Sequence, residues 1–399
     1  MALSGIKVVE VSIWVAGPSC GMWLAENGAD VIRVEPIGGD PVRGFAQWGV
    51  IPETDFNWLW EMWNRSKRGI ALDLRQEEGR KVVHKLVTQA DVFLANLRPH
   101  TLKRANLDYE TLSQLNPRLI YAHITGYGPS GPGAAWPAFD DLAFWARGGI
   151  GSVLGEPGET YVNLRGSMGD HATGMNLLAG IALALYARER TGRGQRVDAS
   201  LLGSGMWMNA QDIQAALSYN YELEKPSRKT ATNPLFNTYQ CKDGKWVVFD
   251  MPDSDRYWSG FCKALGKEDL EHDTRFDSFE KRMENSKKLL AIIEEIIAAR
   301  NRDELEPLFH ENGLVWGRVQ TPMEVTQDPC AWDNGYIVEY EHSSRGKIKG
   351  LTCPVRLSQN PTRTPRSAPE FNQHTEEILR KIGYSPDDIG KLKEKKVIP

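Results

Sequence analysis

The sequence predicts an α/β protein in which an open, doubly wound parallel sheet is accompanied by a smaller α+β region. Short β-branched runs alternate with helical patterns through the first half, and the texture changes after about residue 210. The first run, at residues 6–11, is broken by Ala-Gly-Pro at 16–18, a helix is predicted over 19–27, and the second run is DVIRVE at 30–35. A strand, a helix and a strand within about 30 residues form a βαβ unit, which implies parallel strands.

The same alternation continues along the chain. Further strands are predicted at 69–74, 91–96, 119–125 and 195–202, with helices at 77–89, 109–115 and 171–190. Ligands of doubly wound sheets bind beyond the carboxyl ends of the strands. We therefore expect the site in the segments that follow strands, at residues 12–18, 36–43, 96–104 and 126–141.

The second half indicates a separate domain. A hairpin is predicted over 237–250, around Lys-Asp-Gly, and helices over 287–300 and 302–312. We predict the first part of a large domain at 1–205, a linker at 206–224 and a small domain at 225–320. Residues 321–399 are then a return linker and the C-terminal part of the large domain, with a last helix at 375–382.

Composition narrows the possible partners. The net charge of −4, with 25% charged residues, gives no case for nucleic-acid binding. The start of the chain does not resemble a signal peptide, and no apolar stretch has the roughly 18 to 20 residues of a membrane span. Five scattered cysteines without CxxC spacing, and no HExxH, predict a cytoplasmic protein without a metal site.

Several segments taken in order carry a family resemblance. They are AGP at 16–18, GADVIRVE at 28–35, NRSKRGIALDL at 64–74, ADVFLANLRP at 90–99, ITGYGPSGP at 124–132, GDHATG at 169–174 and TGRGQRVDASLL at 191–202. Their order and spacing resemble the class III CoA-transferase family, of the formyl-CoA transferase and carnitine CoA-transferase type. The stretch PAFDDLAFWARGG at 137–149 is most similar to the 2-hydroxyacyl group of that family.

The resemblance implies an activity and an assembly. It implies transfer of CoA from an acyl-CoA to a free carboxylic acid, such as phenyllactate or 2-hydroxyisocaproate, with CoA as a substrate and no tightly bound cofactor. It also implies a Rossmann-like large domain built from both ends of the chain, and an interlocked homodimer.

Asp170 is the residue that the resemblance identifies as the covalent nucleophile. A protein carboxylate can divide a slow carboxylate–thioester exchange into easier covalent steps. A helix N-terminus favours its ionised form, and Gly169 is expected to leave room for the thioester. Taken without the family, an Asp before a helix is more often an N-cap.

The resemblance also implies the binding residues. CoA contacts are expected from Val15, Ala16, Leu72, Arg75, Asn96, Leu97, Arg98 and Arg104, and a substrate pocket from Phe139, Asp140 and Gly169. Arginine suits phosphate because its planar fork donates two parallel hydrogen bonds, although a solvated surface role remains open for each arginine.

Other features have open interpretations. The aromatic segment 48–63 could line an acyl pocket, although a core or interface role is favoured, and His171 could be either structural or an acid–base group. Residues 251–256 lack the glycine run with which some members of the family cover the intermediate.

Three alternative functions are disfavoured by particular residues. An α-methylacyl-CoA racemase is disfavoured because its Gly-His-Asp segment reads Ala138-Phe139-Asp140 here, without the histidine, and an inactive CoA-binding homologue is disfavoured because Asp170 is present. A nicotinamide dehydrogenase is disfavoured because the first βα turn lacks GxGxxG.

Overall fold

The computed structural model describes residues 1–47, 49, 52–162 and 164–399. The chain divides into two compact units. Unit 1 comprises Met1–Ser152, Asn163–Tyr221 and Trp332–Pro399, and unit 2 comprises Val153–Val162 and Glu222–Ala331.

Unit 1 is built on a six-stranded sheet in which every neighbouring pair is parallel. Its strands are β1 Lys7–Val11, β2 Asp30–Glu35, β3 Arg68–Ala71, β4 Val92–Ala95, β5 Ile120–Thr125 and β6 Arg196–Ser200. The order β3-β2-β1-β4-β5-β6 reverses direction between β1 and β4. Ligands of such sheets bind at this switch point. The predicted parallel sheet is thus confirmed.

Helices pack on both faces of this sheet. The helices up to residue 221 are α1 Ala16–Glu26, α2 Trp58–Asn64, α3 Glu77–Val87, α4 Pro99–Arg104, α5 Tyr109–Leu115, α6 Ile150–Val153, α7 Met168–Thr191, α8 Leu201–Met208 and α9 Ala210–Tyr219. Within the described residues, no helix has the length and hydropathy needed to cross a bilayer.

Alternation along the strands explains the two faces. In β1, Val9 and Val11 pack in one core with α3, whereas Val8 packs in the other core with α1 and α7. Leu177, Ile181 and Leu185, spaced at four residues, form the buried stripe of α7. The sheet is therefore buried on both faces, which is typical of parallel sheets.

Unit 2 has an antiparallel sheet with its own core. Its elements are β7 Phe236–Gln240, β8 Trp246–Asp250, α10 Ser254–Leu265, α11 Phe279–Glu284, α12 Ser286–Ala298, α13 Arg302–Glu311, β9 Trp316–Val319, α14 Pro322–Val325 and α15 Pro329–Asp333, the last of which ends in unit 1. The strand order is β7-β8-β9, and Phe249, Phe261 and Phe309 lie in the core.

The C-terminal segment supplies a hairpin and two helices to unit 1. These are β10 Ile337–His342, β11 Gly346–Leu351, α16 Thr375–Lys381 and α17 Pro386–Glu394. Ile378 and Leu392 join the core on the α3 face, and the N–H of Asp73 donates to the carbonyl of Val397. The hairpin was absent from the sequence-based prediction.

Two element boundaries differ from the prediction near the site. The strand predicted to reach residue 202 ends at Ser200. Ser200 is the N-cap of α8, and its hydroxyl accepts a hydrogen bond from the N–H of Gly203, so the helix begins at Leu201. Helix α7 begins three residues before the predicted position, at Met168. A short π-helix, Asp141–Ala146, precedes it and was not predicted.

Candidate active site

Two cavities adjoin at the switch point of the sheet. One has a volume of about 330 Å³ and includes Asp170 in its lining, and we call it the Asp170 cavity. The other has a volume of about 800 Å³ and includes Arg75, Arg80 and Arg104, and we call it the arginine cavity. Ile13, Leu97 and Thr101 belong to both linings, so the cavities share a wall beyond the carboxyl ends of β1 and β4.

Most of the residues expected at the site line one cavity or the other. Ala16, Asn96, Leu97, Arg98 and Phe139 line the Asp170 cavity together with Asp170, and Leu72, Arg75, Leu97 and Arg104 line the arginine cavity. Val15, Asp140 and Gly169 are in neither lining among the described residues. Val15 instead packs in a buried cluster with Trp60 and Trp63.

Asp170 lies in the first turn of α7 without capping it. The N-cap residue is Ser167, whose φ of 83° is left-handed. The N–H of Ser167 donates to Oδ2 of Asp140 over 2.9 Å, and Nε1 of Trp145 donates to the same oxygen over 3.0 Å. The N-cap interpretation of Asp170 is therefore wrong, and its carboxylate is left to the cavity.

The carboxyl of Asp170 is held in a poorly solvated and negative environment. Burial, followed by the charges of Asp140 and Asp141, raises its pKa from 3.8 to about 7. A helix N-terminus contributes about 0.3 to 1 kcal/mol in favour of the anion, whereas one pKa unit corresponds to about 1.4 kcal/mol. Burial therefore outweighs the helix N-terminus, which was expected to favour the ionised form of Asp170.

Gly169 and Asp140 are both packed at the start of α7, which the sequence did not indicate. A Cβ atom at Gly169 would lie 2.2 Å from Oδ1 of Asp140 and 2.2 Å from Cγ of Phe144. Gly169 thus permits close packing of the helix start, and the expectation that it leaves room for the thioester stays a prediction. Asp140 is only 4% exposed, and burial raises its pKa against the hydrogen bonds from Trp145 and Ser167.

The loop between β1 and α1 is held from two sides. Asn96 uses both ends of its amide on Ile13, accepting from the N–H over 2.9 Å and donating to the carbonyl over 2.6 Å. The N–H of Trp14, a residue with φ of 65°, donates to Oδ2 of Asp40 over 3.3 Å. Asn96 therefore positions the loop through its amide.

A buried ionic network supports the same loop. Arg33 pairs with Glu10 over 2.5 Å and also with Asp40, and Lys67 pairs with Glu10 over 2.8 Å. All four side chains are buried beneath the switch point. Breaking one partner would leave a buried charge uncompensated, which costs about 3 to 5 kcal/mol. The network thus holds in place the carboxylate of Asp40, which accepts the hydrogen bond from the N–H of Trp14.

Aromatic side chains line the Asp170 cavity, and none of them comes from the described part of the aromatic segment 48–63. Trp14 and Phe139 meet edge to face at 5.6 Å, and Trp136 lines the same cavity. In the segment 48–63, Trp60 and Trp63 are buried in the core and Trp58 is exposed, while Trp48 lies outside the described residues.

His171 is bound by the indole of Trp63, whose Nε1 donates to Nε2 of His171 over 2.8 Å. Burial lowers the pKa of His171. The ring is therefore neutral at pH 7 and carries its proton on Nδ1, since Nε2 accepts a hydrogen bond. Nε2 cannot act as a base while this bond persists.

The three arginines of the arginine cavity differ in their hydrogen-bond and ion-pair partners. Arg75 forms a bidentate pair with Asp73 at 2.8 and 2.9 Å, which lowers the pKa of Asp73 to about 2. Arg80 donates to the carbonyls of Leu74 and Arg75. For the exposed Arg104 side chain, the described residues provide neither a hydrogen bond nor an ion pair.

Sequence reasoning missed Arg80 and Trp136. Arg80 follows β3 within the first helical turns of α3, and Trp136 immediately precedes the Pro-Ala-Phe segment at 137–139. Trp136 lies inside the segment 126–141 in which the site was expected, although it was not named there, and Arg80 follows β3 closely enough to have been considered by the same argument. Within the described residues, no cluster of three or more His, Cys, Asp or Glu side chains could hold a metal ion.

Comparisons with known proteins agree with this architecture. Residues 3–375 match the CoA-transferase family III. The chain is 34% identical to the cinnamoyl-CoA:phenyllactate CoA-transferase of Clostridium sporogenes, over 99% of this chain and 97% of that protein. It is 32% identical to the (R)-2-hydroxy-4-methylpentanoate CoA-transferase of Clostridioides difficile, over the full length of both.

A solved structure shares the fold. A CAIB/BAIF family protein from Brucella suis superposes with a TM-score of 0.84 at 31% identity, covering 95% of this chain and 99% of that one. The parallel sheet, the family match and the full-length relatives together show that this chain belongs to CoA-transferase family III and is a CoA-transferase.

Proposed function

We propose that the enzyme transfers CoA between two carboxylic acids through covalent intermediates on Asp170. The Asp170 carboxylate attacks the acyl carbon of the donor, the C–S bond breaks, and an anhydride and CoA thiolate form. The thiolate attacks Cγ of Asp170, and the donor acid leaves as a carboxylate. The acceptor carboxylate then attacks Cγ, and the same two steps run in reverse, with no net change in protons.

The observation that carries this proposal is the adjoining of the two cavities at Ile13 and Leu97. The phosphates of CoA suit the arginine cavity, because Arg104 is exposed there with no partner among the described residues, and a guanidinium binds phosphate in bidentate fashion. The pantetheine arm would pass Leu97 and bring the thioester to Asp170. No other described carboxylate lines the Asp170 cavity.

The raised pKa of Asp170 supports a nucleophilic role. Desolvation disfavours the anion, so the ionised carboxylate is less stabilised in the free enzyme than it would be in water. Formation of an anhydride or a thioester removes that charge. A strongly shifted carboxyl inside a cavity is a recognised mark of a functional group.

The acid substrates are proposed to be 2-hydroxy acids with apolar side groups. The relatives are named for phenyllactate and for 2-hydroxy-4-methylpentanoate. Trp14, Trp136 and Phe139 on the cavity wall suit an aromatic or branched side group, since aromatic walls bury apolar surface. Phe139 is 54% exposed, so it has surface to cover.

A homodimer is proposed from the surface of unit 1. Five large apolar side chains on α7, α8 and α9 are between 67% and 81% exposed, namely Leu183, Tyr186, Trp207, Leu217 and Tyr219. Exposed apolar patches of this kind mark interaction surfaces. Sedimentation should give about twice the chain mass, and a monomer would contradict this proposal. A cytoplasmic location remains our expectation from cysteine usage.

Protection of the intermediate does not depend on a glycine-run loop in this proposal. The comparable stretch leads from β8 into α10, where Met251 and Ser254 are buried in unit 2. Ser254 accepts hydrogen bonds from Arg282. We therefore expect this stretch to be rigid.

The decisive experiment is to trap the intermediate. The enzyme is incubated with an acyl-CoA and hydroxylamine, and the modified residue is identified by mass spectrometry. We expect a hydroxamate at Asp170, and loss of transfer in Asp170→Asn with a normal circular dichroism spectrum. Asp141→Asn, an exposed carboxylate next to the site, is the matched control and should retain transfer.

Two outcomes would contradict the proposal. Transfer by folded Asp170→Asn would exclude the covalent route. Exchange of the α-proton of an acyl-CoA for deuterium without any acceptor acid would instead favour a racemase.

A further inference from the structure

A cation of the first unit is held beside the Asp170 cavity by two aromatic rings. The guanidinium of Arg147 lies 5.2 Å from the ring centroid of Tyr127 and 5.1 Å from that of Trp136. The two rings meet edge to face at 5.7 Å. Trp136 lines the Asp170 cavity, so Arg147 contacts a side chain that forms part of the cavity wall.

The segment that carries these rings is closely packed. A Cβ atom at Gly126 would lie 2.1 Å from Cβ of Ala138, and one at Gly133 would lie 3.0 Å from Cβ of Tyr127. The two glycines thus let the segment fold back on itself between β5 and the π-helix. Trp136 is therefore positioned by a rigid loop.

Arg147 is available for a ligand. It directly follows the π-helix and its N–H donates to the carbonyl of Leu142 over 3.2 Å. Single π-turns of this kind are frequent at functional sites. The side chain is exposed, and within the described part of the chain its contacts are to the two rings, without an ion pair.

The order of events in the proposed reaction restricts where the acceptor acid can enter. When the acceptor arrives, CoA is still bound to Asp170 as a thioester and occupies the shared wall at Ile13 and Leu97. Arg98 and His100, the basic side chains among the described lining residues, lie next to Leu97 on that CoA side. Ala134 and residues 136–139 line a part of the cavity that does not include Ile13 or Leu97, and we take this part as the one that CoA leaves open.

Negative charge around the Asp170 cavity opposes the binding of a carboxylate substrate. Asp140 and Asp141 lie close enough to Asp170 to raise its pKa, so an incoming carboxylate meets the same negative charge. A cation at the entrance would offset this repulsion and raise the local concentration of anions.

We propose that Arg147, held between Tyr127 and Trp136, recruits the carboxylate of the acceptor acid along the wall of the Asp170 cavity that CoA leaves open. This inference rests on the proposed function, since it assigns an entrance for the second substrate of that reaction. Arg147 is a positioning residue here, and the bond-making steps are those already given for Asp170.

The test measures both substrates separately in Arg147→Gln. We expect the KM for the acid to rise by about tenfold, the scale of steering by one charge, while the KM for acyl-CoA changes by less than about twofold. The rise should shrink as salt is added, because exposed charges are screened. Arg147→Lys should restore most of the affinity for acid, and Arg193→Gln, at an exposed arginine elsewhere in unit 1, should change neither constant.

The half-reaction separates this inference from the proposed function. Acyl-CoA without acceptor should release donor acid in Arg147→Gln as fast as in the unaltered enzyme. If the unaltered enzyme shows no such half-reaction, the covalent route fails, whatever Arg147 does. An unchanged KM for acid, an equal rise in both KM values, or a changed oligomeric state in Arg147→Gln would each overturn the role of Arg147.

Discussion

Replacing Asp170 with Asn should remove activity and stabilise the fold at neutral pH. The pKa of Asp170 is about 7 in the folded chain, against 3.8 for the unperturbed carboxyl. Between these values the folded state keeps a proton that the unfolded state has released. Stability therefore falls as pH rises through this window, and the loss is complete above about pH 7.

The size of this effect on the free energy of unfolding follows from the rise in the pKa of Asp170. About three pKa units correspond to at most about 4 kcal/mol, and partial solvent access to this half-buried group reduces that to about 1 to 2 kcal/mol. Asn carries no charge at any pH, so Asp170→Asn avoids the penalty. Its advantage over the unaltered protein should be small at pH 4.5 and largest at pH 8.

The assay is thermal unfolding of both proteins at a series of pH values at one ionic strength. Asp141→Asn is the control, because this exposed carboxylate contributes only its charge at a distance, and its effect should be a fraction of that at Asp170. A difference between Asp170→Asn and the unaltered protein that is constant from pH 4.5 to pH 8 would refute the reasoning, since the carboxyl would then titrate normally.

Further predictions concern the same site. First, kcat/KM should rise with pH with a midpoint near 7, the pKa of Asp170, and Asp141→Asn should move the midpoint to lower pH by removing a like charge; an unmoved midpoint would show that Asp141 has no influence. Second, Gly169→Ala should destabilise the chain by about 1 to 3 kcal/mol through overpacking, because its Cβ would lie 2.2 Å from Phe144; an unchanged melting temperature would contradict the packing described. Third, Arg104→Gln should raise the KM for acyl-CoA by about tenfold, as expected from loss of one charge-assisted hydrogen bond to phosphate, whereas Lys103→Gln, an exposed neighbour outside both linings, should not; equal KM values for the two variants would remove Arg104 from the CoA site.

Local patterns account for the prediction of the sheet. Runs such as residues 30–35, which coincide with β2, are rich in β-branched residues and end at Gly or Pro. Their extended conformation can therefore be predicted from local sequence. The amphipathic pattern of α3 likewise follows from residues a few positions apart. Asp170 was identified from its motif, and the structure adds a cavity around it.

The chemistry around Asp170 depended on contacts between distant segments. Asp140 stabilises the start of α7 from 27 residues away, Asn96 binds Ile13 across 83 residues, and Trp63 binds His171 across 108. No periodicity within one element reports such pairs, because they arise from the order in which strands and loops assemble at one edge of the sheet.

Patterns along the chain were enough to predict the alternation of strands and helices, the family, and Asp170 as the candidate nucleophile. The folded structure was needed to see that Asp140 and Asp141 act on the Asp170 carboxyl, that Gly169 permits close packing, and that Trp136 and Arg80 line the two cavities. Burial and charge are sums over all neighbours in space, whereas a sequence pattern reports mainly the neighbours along the chain.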